Sequence, residues 1–481
     1  MLSLDRRAGS PGARGADARC PGHVVVSETE EDGHMTRITD YDVHDLRFPT
    51  SVHADGSDAM NKDGDHSAAY VTLRTDEPGL EGNGFTFTIG RGNDICVQAI
   101  RDRVQPLLGM DLEEAVGDLG ATYRLLASDT QLRWLGPDKG VVHLAQAAVM
   151  NAVWDLAAKR AGKPVWRFVT DMSSEEIVRA ADLSYLADEV TPEEAVALLK
   201  PQEPLRARRI EHLREHGYPC YSTAAGWLGY SDEKMRRLIQ EELDAGTRNI
   251  KLKVGERVED DVRRCGIARE MIGPQGGLML DANQVWDVPT AIAWMGELAQ
   301  FDPYWIEEPT HPDDILGHAR IRKEIAPIKV ATGEHGMNRI LHKQMMQAGS
   351  YDFCQIDACR LASINEVLAV LIMAARRRIP VCPHAGGVGL CELIQHLIII
   401  DYVAISGDLE DHFAEYVDHL HEHFTEPCVI EDGAYRLPDS PGYSSTMKPQ
   451  SIADYAFPGG RYWTDEHPRV IAGIDGSGAD E

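Results

Sequence analysis

At 481 residues the chain is long enough to bury one large core and a smaller one, so two domains are expected. Its 48 Lys and Arg against 77 Asp and Glu give a net charge of −29, which repels polyphosphate and offers no electrostatic footprint for nucleic acid or an anionic membrane. Nine cysteines without paired-ligand spacing fit reduced thiols in a cytoplasmic protein, and no uninterrupted apolar run is long enough to span a bilayer.

Residues 1–34 are rich in Arg, Gly, Ala and Pro and then in acids, which predicts a disordered tail. The acidic part argues against a transit peptide, and Met35 is a natural start for the folded part. TRITDYDVHDLRF and SAAYVTLRTD alternate like strands around a long polar segment, and GFTFTIG is a third strand. Helices are expected from about Asp94 to Leu108, from Leu112 to Leu126, and through AAVMNAVWDLAAKRAG, which Gly162 and Pro164 close. Strands followed by helices describe an α+β domain over residues 35–175.

From residue 176 to about 431 short buried strands alternate with helical spans: VRAADLSYL, NIKLKV, LMLDAN, YWIEE, IKVATGE, DFCQID and IPVCPH. This is the βα repeat of a parallel barrel. The turn-rich segment 432–481 is expected to pack back on the first domain. Cys354, Cys359 and Cys382, near strand ends, read as small core hydrophobes.

Lys253, Asp281, Glu307, Glu334, Asp357 and His384 fall at successive strand ends, separated by 28, 26, 27, 23 and 27 residues. In a parallel barrel that period brings all six to one mouth. A lone acid at a strand end is usually a cap or an ion pair, but three carboxylates one βα unit apart make a hard oxygen ligand set suited to Mg²⁺. Neighbouring strand residues point to opposite faces, which leaves Glu307 and Glu308 as alternatives. Lys251 and Lys253, two apart, project to one face, where mutual crowding and a dication should depress their pKa toward that of a general base. Asp357 is placed to fix the tautomer of His384. A metal facing a base and a His–Asp dyad suits proton abstraction α to a carboxylate, with the metal stabilising the enediolate.

DLRFPTS, QLRWLGPDKGVVHLA, NAVWDLAAK, KLKVG, LDANQVWDVP, WIEEPTHPDDILGHA, TGEH, CPHAGGVGLCELIQHL and EYVDHLHEHF together resemble the sugar-acid dehydratases in the mandelate racemase group of the enolase superfamily, from Thr36 onward. The resemblance implies an α/β fold, a modified (β/α)8 TIM-type barrel under an α+β capping domain, with the loops Phe48–His66 and Thr88–Asp94 closing over the substrate. It implies metal ligands Asp281, Glu307 and Glu334, base Lys253 with its neighbour Lys251, acid His384 held by Asp357, and Glu415 as an electrophilic carboxyl contact. It also implies a Mg²⁺-dependent lyase in a homo-oligomer, dehydrating L-fuconate to 2-dehydro-3-deoxy-L-fuconate. Racemisation or epimerisation, dehydration of another aldonate, and a non-catalytic scaffold are the alternatives. His335, where related chains often carry Gln or Asn, and YSTAAGW around Ser222 and Thr223 depart from the pattern and bear on substrate preference.

Overall fold

The computed structural model of the chain describes residues 35–136 and 138–466. The expected tail at 1–34 and the end of the 432–481 segment lie outside the described residues.

Three strands, β1 (Ile38–Arg47), β2 (Ser67–Thr75) and β3 (Glu81–Thr88), form an antiparallel sheet in sequential order. The helix Gly140–Arg160 lies against β3 so closely that a Cβ on Gly82 or Gly84 would sit 2.2 or 2.3 Å from the carbonyls of Ala152 or Ala148. This helix is long and apolar enough to pass for a membrane span, yet 83% of its apolar window is buried inside the protein. Its Asp155 accepts from the Asn83 and Tyr443 backbone N–H groups at 2.8 and 2.7 Å, tying a distant C-terminal segment to the sheet. Gly442 accepts from Val165 N–H at 2.8 Å, and Met447 N–H donates to the Tyr70 hydroxyl at 3.1 Å.

The second sheet is built on six parallel strands: β4 (Tyr218–Ser222), β5 (Ile250–Lys253), β6 (Leu278–Asp281), β7 (Trp305–Glu307), β8 (Lys329–Thr332) and β9 (Phe353–Cys354). A seventh, β10 (Ala414–Tyr416), pairs in parallel with the far side of β4. The hairpin β11 (Ile430–Glu431) and β12 (Ala434–Tyr435) also joins β4. Beyond β9, Cys382 and His384 donate backbone N–H bonds to Cys354 and Ile356, while Pro383 accepts from Glu415 N–H at 3.3 Å. The bonded path thus continues from β9 to β10 through residues 381–384. Under the strand ends Tyr221, Met279, Trp305, Ala331, Phe353 and Cys382 form a separate apolar cluster, a dry floor beneath the polar groups above it.

Two sequence expectations need correction. VRAADLSYL is no strand: Ser173 and Glu176 form a capping box that starts the helix Ser174–Ala180, and turns follow. The strand in that part of the chain is Tyr218–Ser222. The helix expected over 112–126 is two, Leu112–Gly117 and Leu119–Ala127, because the Asp118 side chain accepts from Ala121 N–H and caps the second.

The close contact at β3 gives a stability test. Gly84→Ala forces a methyl into the Ala148 and Ala152 backbone and should cost about 1–3 kcal/mol, the usual range for overpacking. Urea unfolding monitored by circular dichroism should show a lower midpoint with an unchanged slope.

Candidate active site

Strand pairing places Lys253 opposite Asp281 and Asp281 opposite Glu307, so these three side chains share one level. Glu334 reaches the same place by another route. It follows β8 after Gly333, whose φ of +137° and closeness to the Gln355 carbonyl admit no side chain. Ligand oxygens of Asp281, Glu307 and Glu334 lie within 4.8 Å of one another, and all three residues are buried.

The lysines thread this cluster. Lys251 donates to Glu307 Oε1 at 2.6 Å and lies 2.8 Å from Glu415 Oε1; Lys253 donates to Asp281 Oδ2 at 2.5 Å. Burial opposes their charge, but Glu307 and Glu415 around Lys251, and Asp281 beside Lys253, hold both ammonium groups above the usual lysine value. The expected depression is therefore not produced by the protein groups. Carboxylates at hydrogen-bond distance outweigh the repulsion between the two lysines, and only a cation that engages those carboxylates removes the stabilisation.

His384 Nδ1 lies 2.8 Å from Asp357 Oδ2, and its Nε2 faces Glu334 Oε2 at 3.9 Å. Burial disfavours the imidazolium, but Glu334, the Asp357 bond and Glu415 prevail and raise its pKa to about 10. These anions favour the protonated ring. Glu415 accepts from Thr223 Oγ1 at 2.6 Å and from Ala385 N–H at 2.7 Å besides meeting Lys251, and despite burial Lys251 holds its carboxyl well below the usual range. Both its oxygens are engaged by protein donors. The cysteines near strand ends, Cys354, Cys359 and Cys382, are buried thiols whose pKa burial pushes up.

Glu308 and His335, both marked in the sequence, meet groups that the sequence did not single out: Gln284 beside them and an aromatic wall further on. Glu308 receives both Gln284 Nε2 and His335 Nδ1. His66, Phe87, Trp227 and His419 make an aromatic wall, with Trp227 5.2 Å from Lys253 Nζ and against Gly386 next to His384. The 48–66 loop brings His66 there, and is fastened by Leu228 N–H to the Ser57 carbonyl and by Asp55 to Tyr230 and Lys234. Asp55, Asp58 and Asp65 bond within or beside this loop, as loop acids do.

Residues 53–169 match the mandelate racemase / muconate lactonizing enzyme N-terminal domain, and residues 234–451 the enolase C-terminal domain-like family. The crystal structure of human mitochondrial enolase superfamily member 1 superposes with a TM-score of 0.88 at 51% identity, covering 90% of this chain and 99% of that one. The chain belongs to the enolase superfamily. L-Galactonate dehydratase of Hypocrea jecorina is 54% identical over 442 residues, 90% of this chain and 98% of that protein. A more distant superfamily structure, L-talarate/galactarate dehydratase from Salmonella typhimurium LT2, liganded with Mg and L-lyxarohydroxamate, has a TM-score of 0.67 at 25% identity over 91% of this chain and 96% of that one.

Mg²⁺ is the cofactor of this superfamily, and the site fits it. The trio offers only oxygen, and Glu307 Oε2 and Glu334 Oε2 are buried without a hydrogen-bond partner. Burial and the neighbouring Glu308 raise the Glu334 pKa from its ordinary 4.5 to about 7, as expected where carboxylates crowd without a counter-ion.

Because that folded value lies above the unfolded one, the stability Glu334 contributes in the metal-free protein is present below pH 4.5 and lost as pH rises through about 7. Glu334→Gln should flatten the melting temperature against pH in this window. It should also abolish most of the melting-temperature rise that Mg²⁺ produces in the parent protein. A variant that keeps full Mg²⁺ stabilisation and activity at limiting Mg²⁺ removes Glu334 from the ligand set.

Proposed function

We propose that the chain is a Mg²⁺-dependent sugar-acid dehydratase that converts L-fuconate to 2-dehydro-3-deoxy-L-fuconate. The observation that carries this reading is the row of strand ends in which Lys253 and His384 flank Asp281, Glu307 and Glu334. In this reading the path from β4 round to β10 is a closed modified (β/α)8 barrel spanning 176–431, capped by 35–175 with 432–481. The free cysteines among the described residues accord with a reducing, cytoplasmic setting.

Asp281, Glu307 and Glu334 hold the metal, which when bound neutralises negative charge building on the substrate carboxylate. Lys253, as the neutral amine, takes the C2 proton: the C2–H bond breaks, an N–H bond forms, and the electron pair moves toward the carboxylate. His384 gives its Nε2 proton to the 3-hydroxyl, which leaves as water while the pair closes a C2–C3 double bond. The enol then tautomerises to the 2-keto acid. Asp357 keeps the His384 ring oriented, and Lys251 balances the charge of Glu307 and Glu415, which would serve as the electrophilic contact to the substrate carboxylate only as the neutral acid.

The 54% identity to an L-galactonate dehydratase supports a second substrate. L-Fuconate is L-galactonate without the C6 hydroxyl, so the reacting carbons are the same. A C6 methyl set against Phe87 and Trp227, rather than against His66 and His419 of the same wall, would favour L-fuconate.

Incubated with L-fuconate and Mg²⁺, the protein should form a semicarbazide-reactive 2-keto acid, with lower kcat/KM for L-galactonate. A C2-epimeric aldonate with its 3-hydroxyl intact and no keto acid would make the chain an epimerase.

In D₂O, His384→Asn should still exchange the C2 proton while losing dehydration. Lys253→Ala should lose both, with kcat down about 10²–10⁴-fold, the usual share of a general base. Rapid exchange in Lys253→Ala reverses the two roles.

A further inference from the structure

A second cluster lies away from the carboxylate trio. Cys391 is the second residue of the helix Leu390–Ile400, His421 opens the short turn His421–His423, and Cys428 lies in the loop before β11. Their ligand atoms all lie within 4.8 Å of one another, with Cys428 Sγ 3.6 Å from His421 Nδ1. His421 Nε2 is 2.7 Å from the Val417 carbonyl, which can only accept, so Nε2 carries a proton and Nδ1 is the ring atom aimed at the sulfurs. Glu392 joins them with Oε1 2.6 Å from Nδ1, and its Oε2 is buried with no protein partner.

We propose that Cys391, Cys428 and His421 bind a borderline-soft divalent cation of the zinc class, with the fourth position open to the Glu392 carboxylate beside His421. Two thiolates and one imidazole, completed by an oxygen donor, match a tetrahedral site, whereas the all-oxygen trio suits Mg²⁺. On binding, both thiols and the proton between His421 and Glu392 are released to solvent as the metal–ligand bonds form. The ion contacts no substrate. It fastens the 417–428 loop to the helix that follows His384, and that loop carries His419, stacked on His66 at 5.5 Å. Its near end adjoins β10, where Tyr435 donates from its hydroxyl to the Glu415 carbonyl.

Cobalt(II) distinguishes the two sites by colour. Reduced, Mg²⁺-saturated full-length protein titrated with Co²⁺ should show near-ultraviolet thiolate-to-cobalt absorption and visible tetrahedral bands saturating at one equivalent. Cys428→Ser, at a partly exposed position, should lose most of the thiolate absorption, and Glu334→Gln should keep it. One equivalent of Zn²⁺ should bleach the cobalt spectrum. Absence of a thiolate band in the parent protein, or an unaltered band in Cys428→Ser, overturns the proposal. So does loss of two titratable thiols without metal, which would mark the pair as a disulfide.

Discussion

A surplus of buried negative charge organises the site. Six carboxyl groups, Asp281, Glu307, Glu308, Glu334, Asp357 and Glu415, meet four basic groups, Lys251, Lys253, His335 and His384. Burying unmatched charge is costly: burial pushes the Glu307 and Glu334 pKa up, while the neighbouring carboxylates hold the lysines and His384 above their usual values. A divalent cation supplies the two missing positive charges. In the proposed mechanism such a cation would also draw Asp281 away from Lys253, so the charge that would fill the ligand set would also free the lysine to act as a base.

The fold serves this arrangement by making it rigid and dry. Register between β5, β6 and β7 aligns Lys253, Asp281 and Glu307, and the floor of Tyr221, Trp305 and Phe353 beneath them keeps the local dielectric low. Lys251, wholly buried above that floor and 5.3 Å from the Tyr221 ring, is compensated only by Glu307, Glu415 and Asp281. Loss of any of these partners therefore disturbs Lys251 as well as the chemistry.

The spacing of charged residues at the ends of apolar runs was legible in the sequence because each lies on a strand or just after one. The structure brings all of them together. The aromatic wall was not legible: His66, Phe87, Trp227 and His419 come from four segments with no common period, and only the folded loop 48–66 unites them. VRAADLSYL failed for a different reason, since its apolar content fits helix or strand and the deciding signal, the Ser173–Glu176 box, lies upstream of it. The raised lysine pKa of the metal-free protein was not legible, because residue pattern locates charges but not their distances, and distances of 2.5 and 2.6 Å set the sign.

The adjacent glutamates show how a local rule breaks where function needs it. In a regular strand Glu307 and Glu308 would face opposite sides. Glu308 instead has a φ of +43°, ending β7, and that turn carries its carboxylate back toward the mouth. There His335 and Gln284 hold it ionised at a pKa of about 2 against the cost of burial, and Glu334 lies within reach of both glutamates. The strained residue costs on the order of 1–3 kcal/mol. What it secures is a fixed anion beside Glu334, which together with burial keeps that carboxyl near pH 7 and ready to exchange its proton for a metal ion. Glu307 joins the carboxylate trio by its place on the strand, and Glu308 acts on Glu334 by leaving the strand.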